Sequence, residues 1–217
     1  MLIQAVLFDL DGTFADTAPD LGAALNRLLA EAGRPSVALA VSRKLTSSGA
    51  RGMIQVGFGI GPDHPDYAAL QVRYLEIYEQ GVCVDTRLFP GMESLVEKIE
   101  SYPMTWGIVT NKAARFTVPL VKALGYEKRS ACVVSGDTTS RLKPAPDSLL
   151  HAAREIGVAP ANCLYVGDDL RDIQAARAAG MPVLAATYGY LGDGEKPENW
   201  GADALISSPL EILNFLG

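Results

Sequence analysis

Two aspartates one residue apart, Asp9 and Asp11, stand with Gly12 and Thr13 at the end of a short apolar run from Ile3 to Phe8. In extended chain, residues i and i+2 project to the same side, so the two carboxylates share one small site. Two such groups cannot both stay ionised cheaply in a crevice: either a cation sits between them, or one holds a proton and can act as an acid. The same residues also read as an Asx turn capping a strand. Three further polar stations close apolar runs. Thr110-Asn111-Lys112 follows Trp106 to Val109, Lys143-Pro144 lies beyond Ala131 to Val134, and Gly167-Asp168-Asp169 follows Cys163 to Val166. Taken singly, Thr110, Asp168 and Asp169 read as helix N-caps and Lys143 as a solvated loop lysine. Delivered together to one edge, they read as a site in which Lys143 supplies the positive charge that a phosphate and an aspartate nucleophile both need.

The elements that would position these groups alternate. The apolar runs, joined by a fifth at Val183 to Ala186, are short, nearly continuous and end in polar or Gly-bearing turns, as strands buried on both faces do. Helical patterns lie between them, such as Leu95, Val96 and Ile99, or Val118, Val121 and Leu124 closed by Gly125. This β-α-β-α order predicts an α/β fold, a doubly wound, Rossmann-like parallel sheet whose ligands bind outside the carboxyl ends of its strands. Residues 16–88 interrupt the rhythm and read as a small inserted α-helical cap, leaving 1–15 and 89–217 as the core. Its first helix has Thr17 as N-cap, Pro19 and Asp20 in the first turn, and Leu21, Ala24, Leu25, Leu28, Leu29 and Ala32 on one stripe before Gly33. Tyr67, Leu70, Tyr74, Leu75 and Tyr78 form a second stripe, read as packing.

Composition narrows the partners. The 217 residues are 48% hydrophobic and 20% charged, enough to bury a sizeable core and too apolar for a disordered chain. With 19 basic against 25 acidic residues and no basic run, the footprint of a nucleic-acid binder is missing, so a small-molecule partner is expected. Cys83, Cys132 and Cys163 form neither a CxxC nor an even set, which favours a reducing compartment. The first apolar run is broken by Gln4 and stopped by Asp9, so it reads as neither a signal peptide nor a membrane span, and a cytoplasmic protein is expected. Monomer and homodimer both stay open.

Asp9-x-Asp11-Gly12-Thr13, Thr110, Lys143-Pro144 and Gly167-Asp168-Asp169-x-x-Asp172 together resemble the four motifs of the haloacid dehalogenase superfamily of phosphohydrolases, over essentially the whole chain. Asp16-Thr17, the helical insertion and Thr187-Tyr188-Gly189-Tyr190 look like its phosphoglycolate phosphatase branch. Gly49-Ala50-Arg51-Gly52-Met53, the run Trp106 to Lys112 and Trp200-Gly201-Ala202-Asp203 are similar to N-acetylmuramic acid 6-phosphate phosphatases. The resemblance implies a Mg²⁺-dependent phosphomonoesterase in which Asp9 is the nucleophile and Asp11 the general acid and base. It places Thr110 and Lys143 on the phosphate oxygens, and Mg²⁺ on Asp9, the backbone carbonyl of Asp11, and Asp168. Asp169 and Asp172 are expected behind the metal, and Gly12, Thr13, Asn111 and Lys112 towards the substrate. Arg51, in a Gly-rich cap loop, is a candidate for binding a substrate carboxylate, with 2-phosphoglycolate expected first and N-acetylmuramic acid 6-phosphate second. The cap would exclude water and hinge near Phe14 to Thr17 and Leu88 to Gly91. A receiver-like phosphoacceptor module needs no cap, a dehalogenase has no use for Asp11 or Asp168, and a sugar phosphomutase is the rival hardest to separate.

Overall fold

The computed structural model describes residues 2–191 and 194–216. The strands are β1 (Ala5–Phe8), β2 (Ala15–Asp16), β3 (Arg87–Leu88), β4 (Thr105–Val109), β5 (Val133–Val134), β6 (Cys163–Gly167), β7 (Val183–Ala186) and β8 (Ala204–Ile206). Six of them form one parallel sheet in the order β5-β4-β1-β6-β7-β8. The chain therefore builds outward from β1 to β4 and β5, then crosses back to β6 and continues to β7 and β8. The reversal lies at β1, so the crevice beyond Phe8 is the switch point where such sheets bind ligands.

Alternate residues of β1 explain why its run is apolar throughout. Val6 and Phe8 pack with Trp106, Ile108 and Val166 on one face, while Ala5 and Leu7 pack with Tyr165, Val183 and Leu149 on the other. Helices cover both faces: α5 (Met92–Glu100), α6 (Ala114–Ala123), α7 (Asp147–Glu155) and α8 (Leu170–Ala179). The stripe read for α6 is shifted, since Val118 is exposed and Phe116, Leu120 and Val121 make the buried side. β8 had no signal as a run, because only Ile206 of its three residues is buried.

Between β2 and β3 lie α1 (Ala18–Glu31), α2 (Leu39–Ser42), α3 (Gly49–Phe58) and α4 (Tyr67–Glu79). Leu21, Ala24, Leu25, Leu28 and Leu29 of α1 pack with Met53, Tyr74, Ile77 and Tyr78 in a small core of their own that also takes in Phe116 of α6, whereas Ala32, read onto the same stripe, is exposed. Two glycines of α3 permit close packing: a Cβ at Gly52 would meet the Leu45 carbonyl oxygen at 2.2 Å, and one at Gly57 would meet Leu25 at 2.6 Å. The chain leaves and re-enters this layer side by side, for β2 and β3 pair antiparallel at Ala15–Leu88 and Asp16–Arg87. Buried Asp20 ties the two passages together by accepting from the N–H groups of Val84, Asp85 and Thr86 and from the Thr86 hydroxyl.

Candidate active site

Three of the four polar stations sit at the ends of central strands, while Lys143 lies in the loop beyond the edge strand β5. Asp9 continues β1 with its N–H donating to the Val166 carbonyl at 2.9 Å, and Thr110 continues β4 with its N–H on the Val134 carbonyl at 2.9 Å. Asp168 follows β6. Parallel register aligns these strand ends, since Phe8 pairs with both Ile108 and Val166.

Lys143 is the hub. Its buried ammonium donates to Asp9 Oδ1 at 2.7 Å, Asp172 Oδ1 at 2.6 Å, the Tyr165 hydroxyl at 2.8 Å and the Val109 carbonyl at 3.1 Å. Burial disfavours that charge, but Asp172 and Asp9 outweigh the cost and hold its pKa above the ordinary lysine value. Asn111 fixes the loop that carries it: Asn111 Oδ1 accepts from the Lys143 N–H at 2.9 Å and Nδ2 donates to the Lys143 carbonyl at 3.0 Å. The Asn111 amide is thus engaged with protein backbone. Gly167 makes room for Asp172, because a Cβ there would meet the Asp172 carboxyl carbon at 2.4 Å.

Asp168 is fully enclosed. Its Oδ1 accepts from the Thr13 hydroxyl at 2.9 Å and its Oδ2 from the Tyr190 N–H at 2.7 Å. A Cβ on Gly12, which has φ +91°, would lie 2.1 Å from Asp168 Oδ2, so this turn needs glycine for both its conformation and its close approach. Gly12 and Thr13 accordingly face Asp168 rather than the open pocket.

Carboxylate oxygens of Asp9, Asp168 and Asp172 all lie within 4.8 Å of one another, and this is the acidic group among the described residues that can hold a metal ion. Burial pushes the Asp9 carboxyl up to about 7 against the pull of Lys143, with Asp172 and Asp11 adding to the rise. Asp168 is driven well above the carboxylate range by burial, then by Asp9 and Asp172. Crowded carboxylates of this kind are what a divalent cation relieves, and an all-oxygen donor set with one member already oriented by two hydrogen bonds suits a hard ion such as Mg²⁺.

Asp11 sits apart from that cluster. Both its oxygens accept from Lys112 Nζ, at 2.8 and 3.0 Å, and Oδ1 also accepts from the Thr17 hydroxyl at 2.6 Å. Thr17 occupies the N-cap position of α1, but its side chain serves Asp11 instead of the helix. Lys112 lies 4.8 Å from the centroid of the Tyr78 ring. Asp169 caps α8, accepting from the Arg171 N–H, and Asp172 Oδ2 returns the bond by accepting from the Asp169 N–H at 3.2 Å.

These groups floor a pocket of about 440 Å³. Its walls include Arg51, Gln71, Tyr74, Leu75, Tyr78 and Arg115. Tyr74, Leu75 and Tyr78, read as packing from their spacing, both pack in the small core and line the pocket. Arg51 is exposed at the start of α3. Sequence reasoning missed Tyr165; a hydroxyl in the middle of a strand buried on both faces was the available signal, since it demands a buried partner.

An acidic crevice at the switch point of a parallel sheet, beside a helical insertion, is the setting in which the comparisons with known proteins fall. The family model for haloacid dehalogenase-like hydrolase matches residues 6–186, and the chain belongs to that family. Within it the protein is a phosphoric monoester hydrolase. It is 42% identical over 212 residues to the N-acetylmuramic acid 6-phosphate phosphatase of Pseudomonas putida, covering 98% of this chain and 95% of the relative. It is 45% identical over 213 residues to the phosphoglycolate phosphatase of Xanthomonas campestris pv. campestris, covering 96% and 94%. The crystal structure of a predicted phosphoglycolate phosphatase from Haemophilus somnus 129PT shares the fold, with TM-score 0.86 over 99% of this chain and 98% of that one, at 23% identity. No helix among the described residues is long and apolar enough to cross a membrane.

Proposed function

We propose that the protein hydrolyses a phosphomonoester whose leaving group carries a carboxylate, with Asp9 as nucleophile and Asp11 as acid and base. The observation that carries this reading is the convergence of Asp9, Lys143, Asp168 and Asp172 at one floor beneath a pocket with arginines in its wall. Lys143 holds Asp9 Oδ1, so Oδ2 is the oxygen that attacks phosphorus, and water later cleaves the aspartyl phosphate. Lys143 and Thr110 bind phosphate oxygens; the Thr110 hydroxyl accepts from the Lys112 N–H at 3.1 Å and keeps its own proton to donate. Asp9 and Asp168 would hold Mg²⁺, with Asp172 beside them, and the ion would neutralise charge on the transferring phosphoryl group. Asp11, held by Lys112 and Thr17, stands here as an acceptor, the form that takes a proton from attacking water. Residues 16–88 act as the cap, in which substrate choice lies.

Pocket size bears on the choice between the two substrates named for the relatives. A glycolate arm leaves most of about 440 Å³ unfilled, while a phosphorylated amino sugar with a lactyl carboxylate occupies far more of it. This favours N-acetylmuramic acid 6-phosphate over 2-phosphoglycolate, reversing the order suggested by the sequence. Phosphate release from both, compared as kcat/KM, tests the choice, and a higher value for 2-phosphoglycolate overturns it.

Two variants test the assigned roles. Asp11→Asn should slow single-turnover phosphorylation by about 100-fold or more for an alkyl phosphate, whose leaving oxygen needs a proton, and much less for p-nitrophenyl phosphate. Equal losses on the two would remove Asp11 from the acid role. Arg51→Ala should lower kcat/KM at least about tenfold for the carboxylate-bearing substrate, the effect of one charge-assisted hydrogen bond. It should leave p-nitrophenyl phosphate hydrolysis nearly unchanged, and a matching loss on both substrates would return Arg51 to a solvated surface residue.

A further inference from the structure

One buried residue touches the floor of the site, the hinge and the cap at once. Tyr190, 3% exposed, donates its backbone N–H to Asp168 Oδ2 at 2.7 Å. Its hydroxyl donates to Asp16 Oδ1 at 2.6 Å and accepts from the Ala18 N–H at 2.9 Å, where the chain passes from β2 into α1. Its carbonyl accepts from the Ser47 hydroxyl at 3.1 Å. Arg43, in the short helical segment that also contains Ser47, binds Asp16 through both terminal guanidinium nitrogens and lies 5.5 Å from the Tyr190 ring centroid. A second strut runs beside it: Arg171 of α8 donates to the Ser47 carbonyl at 2.7 Å.

The loop carrying Tyr190 has little room to drift. A Cβ on the preceding Gly189 would lie 2.3 Å from the Gly12 carbonyl oxygen and 2.4 Å from Asp168 Cβ, so this backbone rests directly on the Asp168 turn. Tyr188, one residue further back, donates to the Thr13 carbonyl at 3.2 Å. Movement of segment 43–48 away from the core must break the Ser47 bonds and the Arg43 contact. Displacement of Tyr190 must pull on Asp168.

We propose that Tyr190 is a positioning residue that couples the seating of the cap to the carboxylate of Asp168, so that cation binding and cap closure favour one another. The inference rests on the reading of Asp168 as a metal carboxylate. Coupling between two sites is reciprocal and commonly amounts to about fivefold or more in affinity.

Amide hydrogen exchange on the full chain, with and without Mg²⁺, reads this without turnover. In the wild-type protein Mg²⁺ should slow exchange in the loops carrying Asp9 and Asp168 and also, by about fivefold or more, in segment 43–51. Tyr190→Phe removes the hydroxyl bonds to Asp16 and Ala18 but keeps the ring and the N–H on Asp168. In this variant Mg²⁺ should still protect the Asp9 and Asp168 loops, while the protection of 43–51 falls in part, because Asp16, the partner of Arg43, loses the Tyr190 hydroxyl but the Ser47 bond to the Tyr190 carbonyl remains. Ser47→Ala, a milder change at a part-buried site, should reduce that protection in the same direction, so the inference stays testable if Tyr190→Phe does not fold. Undiminished protection of 43–51 in both variants overturns the coupling. A wild-type response confined to the Asp9 and Asp168 loops overturns it while the metal reading stands, and no response in either region overturns both.

Discussion

Asp9→Asn is expected to reduce turnover to less than about one part in a thousand, the scale on which removing a covalent nucleophile acts, without loss of fold. The amide keeps the carboxylate's shape and can still accept from Lys143, whose ammonium lies 2.7 Å from Asp9 Oδ1. What it loses is a negative charge and, with Asp9 as the proposed nucleophile, the attacking oxygen. That charge is a burden on the fold. The Asp9 carboxyl is pushed from 3.8 up to about 7, first by burial, so its ionised form is disfavoured in the folded chain relative to the unfolded one. An acid raised in this way withdraws stability as pH climbs from its unfolded value through its folded one. Metal-free Asp9→Asn should therefore unfold in urea at pH 7.5 at the same midpoint as wild type or a higher one. An inactive variant with a lowered midpoint would point to misfolding, and a stable variant that keeps more than a few per cent of activity would end the nucleophile assignment.

The parts of the site legible in the chain alone are those set by local features. Strand ends are local features: a buried apolar run stops where a polar residue begins, and Asp9, Thr110 and Asp168 mark three such stops in the central strands of the sheet. Their convergence follows from parallel register, which the alternation of strand and helix implies. The partners of these residues do not follow from it. Lys143 reaches Asp9 across 134 positions, Tyr190 reaches Asp168 across 22 and Asp16 across 174, and Arg171 reaches Ser47 across 124. Such pairings are set by loop paths and helix placement rather than by residue spacing.

Residues with two adequate local explanations were also ambiguous. Thr17 before α1 has an N-cap's position, yet its hydroxyl donates its hydrogen bond to Asp11, six residues away. Asn111, expected towards the substrate, clamps the Lys143 backbone. The purpose of Gly52 and Gly57 in α3 is not legible either, because sequence does not show that the Leu45 carbonyl oxygen and the Leu25 side chain occupy the space a Cβ would need. β2 and β3, of two residues each, carry no periodicity to detect.

Lys143→Met should give the largest loss of stability. The side chain is 3% exposed, and its ammonium is the cation shared by the buried carboxylates of Asp9 and Asp172. Removing one partner of a buried charge group leaves the others uncompensated, at a cost of about 3–5 kcal/mol, which corresponds to a fall in Tm of roughly 6–20 °C for a domain of this size. Methionine fills similar volume, so the loss would report charge and hydrogen bonding more than a cavity. Activity should vanish as well, since Asp9 and the phosphate lose their shared counter-charge. The electrostatic origin is open to a double-mutant cycle. Asp172→Asn removes the like charge nearest the gap, so in the Lys143→Met background it should recover at least about 1 kcal/mol relative to its effect in the wild type, while leaving the enzyme inactive. Urea midpoints of the four proteins without added metal measure the coupling. Additive effects, or a Lys143→Met protein within about 1 kcal/mol of wild type, would mean that the ammonium is not what holds these carboxylates together.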